Sequence, residues 1–287
     1  VNIGALLASI SPGLSAVVDF MFVAGGDGVT AGAGHNINFF GGMENLSHDN
    51  CVPQLVAGDP GFVENPNVSG LPQVSLFQNS VRPGTGTPFH VGAAVSEEFV
   101  NYALFKMWDS GLLCLTVTSA IDGALSPDAI GALLFGPSLP RFLFPLGSSS
   151  SYLALGIRPQ QPPSVAIENI ADASEEGDEV MLITITLPRL EIDFMFWTQD
   201  RYTRISTVQT ALQVGLTLDI VPGANGDELK LALGEIDFQN GAWLNSSTLL
   251  SESELSRNPG DTLGGVAGPI AAGLASAIPN IALEELI

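Results

Sequence analysis

The sequence predicts an α+β protein in which an antiparallel sheet buries one face beneath apolar helices. Three observations predict it. Apolar residues recur at every second position from Tyr152 to Phe238, residues 96–110 place them at three- and four-residue spacing, and residues 263–283 carry no charge for 21 positions. A sheet that is greasy on one side must be covered, and the helices before and after it are the candidates.

At the start of the chain, IGALLASISP at 3–12 matches IAAGLASAIP at 270–279 without a gap. An apolar run follows the closing proline of each copy, at 14–23 and 281–287, so both read as helix, proline break and strand. Residues 1–40 are therefore expected to finish one repeating unit. Residues 41–90, rich in Gly, Pro, Asn and Asp, read as an irregular linker with one short strand at 74–77, and residues 91–287 form the next unit.

That unit opens on a capped helix. Ser96 occupies the N-cap position, Glu97 and Glu98 meet the positive end of the helix dipole, and Gly111 stops the helix before a strand at 112–118. Phe99, Val100, Ala103, Leu104, Met107 and Trp108 form one apolar stripe, to which Tyr102 and Phe105 add aromatic bulk. Ser126 and Pro127 open a second helix through Phe135, after which Pro137, Pro140 and Pro145 punctuate the chain.

The strands follow. Leu153, Leu155 and Ile157 come first, then Val165 and Ile167, then Met181, Ile183 and Ile185. The strongest strand is LEIDFMFW at 190–197, with Leu190, Ile192, Phe194 and Phe196 on one face and Glu191 and Asp193 on the other. Leu212, Val214, Leu216, Leu218 and Ile220 repeat the pattern, Asn225-Gly226 gives a turn signal, and Leu229, Leu231 and Leu233 return on the same face. Gly234 marks a bulge, because the apolar register slips there by one to Ile236 and Phe238. The uncharged segment 263–283 is long enough to span a bilayer. Its glycines, two prolines and scarcity of large apolar side chains make it instead a buried or groove-covering helix that starts near Pro269.

Composition excludes several functions. With 30 acidic against 9 basic residues the formal charge is −21, which repels nucleic acid and anionic headgroups alike. Cys51 and Cys114 are either two thiols or one disulfide; Cys51 lies in a polar loop-like segment, which favours the disulfide and with it an extracytoplasmic location, meaning secreted, periplasmic or cell-surface. Sequons at Asn45, Asn67 and Asn245 agree with this but arise readily by chance. His35, His48 and His90 show no metal-ligand spacing, and the acidic clusters at 175–179 and 227–228 lack the calcium-loop pattern, so neither metal nor cofactor is expected. A thiol nucleophile built from His48, Asp49 and Cys51 would need its base three residues away in a loop, and Ser138 lies in GPSLP, which has a proline where a nucleophile elbow has its second glycine. The glycine-rich runs at 25–28 and 32–34 read as turns. The chain is accordingly not expected to be an enzyme.

The order of VSEEFVNYALFKMWDSGLL, a proline-punctuated segment, a PPSV strand, a meander beginning LPRLEIDF and a closing helix with an internal proline resembles the tubular lipid-binding superfamily. Within it, the chain is most similar to the C-terminal barrel of the bactericidal/permeability-increasing and lipopolysaccharide-binding protein family. The resemblance implies a highly curved antiparallel sheet wrapped around long amphipathic helices, a BPI-like half barrel at 91–287, with residues 1–40 as the end of a preceding barrel and 41–90 as the linker. It also implies an apolar tunnel that holds acyl chains. The chain lacks the basic tip of the endotoxin-binding members, so neutral lipid, phospholipid held by its tails or a small apolar molecule is the expected partner. Low charge density and the missing animal-type first barrel agree with a bacterial source.

The leading expectation is thus non-enzymatic lipid binding or transport, with Phe99, Tyr102, Phe105, Trp108, Phe194, Phe196, Leu216, Leu218 and Leu231 lining the cavity. Periodicity does not separate a tunnel from a filled core, and core packing is the commoner role for any one of these side chains. The alternative is a structural or adhesive module, dimeric or part of a longer chain; a hydrolase has only the Ser138 motif behind it.

Overall fold

A computed structural model describes residues 17–24, 29–31, 34–36, 39–64, 95–118, 153–171, 179–198, 201–223, 226–246, 259–260, 263–264 and 281–282. In chain order these form β1 (Val18–Ala24), β2 (Val29–Ala31), β3 (Gly34–Asn36), β4 (Phe39–Asn45), α1 (Glu97–Asp109), β5 (Leu115–Thr118), β6 (Leu153–Pro159), β7 (Ser164–Ala171), β8 (Glu179–Thr198), β9 (Arg201–Gly223), β10 (Gly226–Ser246) and β11 (Ile281–Ala282). Helical turns at 259–260 and 263–264 follow β10.

The alternating pattern that reads as several short strands builds a few very long ones. Strands β8, β9 and β10 have 20, 23 and 21 residues, each about 65–75 Å at the usual ~3.3 Å per residue. They pair as an antiparallel meander in the order β11-β10-β9-β8-β6-β5. The β9–β10 pairing closes at Gly223 opposite Gly226, so the strands meet at the Asn225-Gly226 turn signal with Gly226 already paired. Both β6 and β7 lie on the same edge of β8, β6 along Leu190–Phe196 and β7 along Glu179–Thr186. They behave as one long strand broken at 160–163. The two prolines there cannot donate to a ladder, and the partner strand shifts register between Leu187 and Leu190, opposite the break. Gln160 N–H still donates to Arg189 O at 2.8 Å, which carries the pairing across.

Those register shifts preserve the apolar face. Without the one at Leu187/Leu190 the odd-numbered set of Ile183, Ile185 and Leu187 would oppose the even-numbered set from Leu190 to Phe196. The shift at Leu233/Ile236 is the bulge the sequence places at Gly234, and an added Cβ there would lie 3.1 Å from Gly215 O. A further shift at Gln239/Ala242 coincides with Asn240, the non-glycine residue at φ 55, and with Gly241, whose backbone meets Gly260 too closely to admit a side chain.

Helix α1 ends where its sequence says. Ser96 Oγ accepts from Phe99 N–H at 3.2 Å. At the other end Gly111 adopts φ 77, its N–H donates to Trp108 O, and Leu112 N–H donates to Met107 O, a complete Schellman closure. The helix is therefore 13 residues long, about 20 Å at ~1.5 Å per residue.

The expected long amphipathic helices wrapped by a curved sheet are not what the chain forms. Among the described residues strands predominate, and α1, with 13 residues, is the only helix longer than a single turn. The physical reason is length and partner: a helix capped at both ends spans less than a third of strands β8–β10, and its apolar stripe is taken up by other elements. Tyr102 and Ala103 pack with Val18 of β1 and Met43 of β4, while Phe105 and Trp108 pack with Val52, Phe62 and Leu55 of the loop after β4. Because β4 pairs with β1 from Val18/Asn45 to Ala24/Phe39, the expected boundary at residue 40 falls inside a strand.

Cys51 and Cys114 form a disulfide, with Cα atoms 6.5 Å apart and 63 residues of sequence separation. Constraining a loop of that length in the unfolded chain is worth about 4 kcal/mol on the chain-entropy account. The disulfide fits an oxidising compartment. No helix among the described residues is long and apolar enough to cross a membrane. The 3–12/270–279 repeat, the strand at 74–77, the second helix at 126–135 and the helix near Pro269 lie outside the described residues.

Candidate functional site

Alternation along β8, kept in phase by the bulge after Leu187, produces one continuous apolar surface with two different ends. At one end Leu190, Ile192, Phe194 and Phe196 of β8 and Val208 of β9 are almost wholly buried, and Leu263 from the turn after β10 packs onto them. Leu155 and Ile157 of β6, Leu187 of β8, Ile205 and Leu212 of β9 and Phe238 and Trp243 of β10 pack against this cluster. Toward the other end, beyond that cluster, Ile183 and Ile185 of β8 and Val214 and Leu216 of β9 are only half-buried. Register places Ile183 opposite Leu216 and Ile185 opposite Val214, so these side chains form adjoining rows.

The residues expected to line one cavity are divided between separate places. Phe194 and Phe196 belong to the buried end of the sheet, and Leu216 to the half-buried end. Leu218 lies between Met181 and Leu231 in register, on the continuation of the same rows; the side chains of Leu218 and Leu231 lie outside the described residues. The four aromatic residues of α1 are elsewhere. Phe99 lies on Gly41 of β4, where an added Cβ would meet its ring. Tyr102 belongs to the β1–β4 cluster, and burial, seconded by Glu44, pushes its phenol pKa up. Phe105 stacks edge-on against Phe62 at 5.3 Å, and Trp108 donates its indole N–H to Pro159 O at 2.8 Å. Lys106 covers the Tyr102 and Phe105 rings at 5.6 and 5.7 Å.

The opposite face of the sheet is ionic, a feature the alternation Leu-Glu-Ile-Asp announces but whose partners spacing alone does not reveal. Asp193 accepts from Thr207 Oγ1 at 2.6 Å, Arg158 Nε at 2.8 Å and a terminal nitrogen of Arg158 at 3.2 Å. The same guanidinium reaches Glu191 at 3.0 Å, with Arg189 and Arg204 each 3.6 Å from a carboxylate. Both carboxylates are buried, and this pairing is what makes their burial tolerable.

Two smaller features complete the inventory. A cavity of about 410 Å³ lies between β10 and the turns after it, lined by Ile236, Asp237, Phe238, Asn240, Gly241, Gly260 and Gly264. At the end of α1, Asp109 accepts from Asn45 Nδ2 at 2.7 Å and lies 2.8 Å from His48 Nδ1. That pairing, 61 residues apart in sequence, removes His48 from Cys51, whose sulfur is held in the disulfide, so the thiol-nucleophile arrangement is not formed. It also engages the amide of the Asn45 sequon. Among the described residues no group of three or more His, Cys, Asp or Glu is placed to hold a metal. His90 and Ser138 lie outside them.

No family model and no curated protein matches this chain. The functional reading therefore rests on the chemistry of the two sheet faces.

Proposed function

We propose that the protein is a non-enzymatic binder of lipid or another extended apolar molecule, held along the half-buried rows of the sheet rather than in a tunnel against a long helix. One observation carries the reading: the apolar surface stays in phase through the break at 160–163 and the bulge after Leu187, yet only its Leu190–Phe196 end is closed. Ile183, Ile185, Val214 and Leu216 offer an elongated surface on which an acyl chain gains roughly 0.8 kcal/mol per methylene removed from water. Binding of this kind needs no headgroup contact, which suits a chain of charge −21. The disulfide supports the extracytoplasmic part of this reading, a secreted, periplasmic or cell-surface protein.

Native mass spectrometry of the purified chain, before and after organic extraction, tests this. A stoichiometric lipid, or uptake of one on incubation with phosphatidylcholine or a fatty acid, is expected. A clean apo mass after both incubations overturns the proposal and favours a structural or adhesive module, for which β5, at the end of the strand order among the described residues, offers a sheet edge.

A further inference from the structure

The ionic face carries a constellation that apolar-ligand binding does not use. Along β8, Glu191, Asp193, Met195 and Trp197 share this face, and register sets Arg158 beside Glu191, Arg204 beside Met195 and Tyr202 beside Trp197. Neighbouring rows are two residues apart, about 7 Å. Among the described residues, three of the nine basic residues of the chain gather around two carboxylates, in a molecule of −21.

The hydrogen-bond accounting of this strip is uneven. Asp193 accepts from Thr207 and doubly from Arg158, so its acceptors are occupied, while Glu191 faces Arg158 at 3.0 Å through one oxygen and Arg189 at 3.6 Å through the other. The donors are in surplus. Arg189 and Arg204 stand 3.6 Å from their carboxylates, beyond hydrogen-bond length, with side chains 46% and 48% exposed. One row further on, the Trp197 ring is 41% exposed and is held edge-on by Tyr202, with centroids 5.0 Å apart at 78°.

We infer that this strip binds a short acidic saccharide, with the C–H face of one sugar ring on the Trp197 indole and its carboxylate on the Arg204 guanidinium. An exposed indole face beside polar groups fits an amphipathic ring that is apolar on one side and hydroxylated at its rim. The acidic class follows from the donors nearest the ring: Asp193, the carboxylate beside Arg204, is already occupied by Arg158 and Thr207, so the exposed Arg204 guanidinium calls for an acceptor from the ligand. Guanidinium groups with spare N–H donors recognise a carboxylate geometrically as well as by charge. The surrounding acidic chain repels long polyanions, which limits the ligand to a short one.

Isothermal titration of the whole protein at physiological ionic strength, with trigalacturonate as the probe, tests the inference; cellotriose serves as the neutral control and sodium acetate as the bare carboxylate. Saturable binding of trigalacturonate alone is expected. Trp197→Ala and Arg204→Gln should each weaken it on the order of tenfold, and Trp197→Phe should retain most of it. Both positions are half-exposed, and circular dichroism of each variant establishes that it is folded. Equal binding of cellotriose, equal competition by acetate, undiminished binding by Trp197→Ala or no binding at all overturns the inference.

Discussion

Single positions in this chain are constrained by more than one requirement at a time, and Gly111 shows it most clearly. Its φ of 77 lies where side chains are disfavoured, and a Cβ built there would fall 2.5 Å from Asp49 Cβ. Gly58 has a similar φ of 99 with nothing within 4 Å. Gly111→Ala should therefore cost about 2 kcal/mol or more, and Gly58→Ala only the conformational part, about 1 kcal/mol, as read from urea midpoints. Equal losses would mean that Asp49 gives way freely. Tyr102 is constrained through its proton. Burial, then Glu44, raises its pKa, so the folded chain binds the phenolic proton more tightly than the unfolded chain does. Its stabilising contribution is complete below the unfolded value near pH 10 and is lost as pH rises through the higher folded value. Melting temperatures between pH 9 and pH 11.5 should fall more steeply for the native chain than for Tyr102→Phe; parallel curves would sink the assignment.

Helix α1 acts as an edge cover rather than as the spine of a barrel. Asn101 donates to Val165 O at 3.0 Å and accepts from Val165 N–H at 2.8 Å, and Glu97 accepts from Ile167 N–H at 3.1 Å. These side chains occupy the outer edge of β7 in the place of another strand. Asn101→Ala should cost about 2 kcal/mol for the two bonds and leave an open edge, so light scattering should detect association that the native chain does not show. A monomer of native stability would refute the edge-covering role. The helix itself was legible from Ser96, the aromatic spacing and Gly111, because caps and periodicity are local. Its partners were not, since nothing in 97–109 distinguishes a stripe that packs on a sheet face from one that packs on Val18, Met43 and Phe62. The apolar alternation of the strands was equally legible, as was the bulge at Gly234. Their lengths were not: the apolar alternation reads as separate short runs, whereas the ladder passes Pro162, Pro163 and Pro188 by placing the break of one strand opposite the bulge of the next. The ionic face was half legible, its carboxylates from alternation and its arginines only from register.

At the scale of the whole molecule, the two ends of one apolar surface differ in closure, and this difference is where the proposed function stands or falls. Phe194 is 1% exposed within the closed cluster, so Phe194→Trp overpacks it and should cost about 1–3 kcal/mol, with apolar-ligand uptake preserved in the folded fraction. Leu216 is half-buried beside Ile183. A tryptophan there has solvent to extend into, so Leu216→Trp should leave the urea midpoint nearly unchanged while it fills the rows that would hold an acyl chain. Titration of both variants with a fluorescent fatty acid separates the cases. If Leu216→Trp weakens uptake several-fold and Phe194→Trp does not, the half-buried rows hold the ligand. If both variants lose stability alike and neither changes uptake, the whole face is core, and the sheet owes its length to some requirement other than an apolar guest.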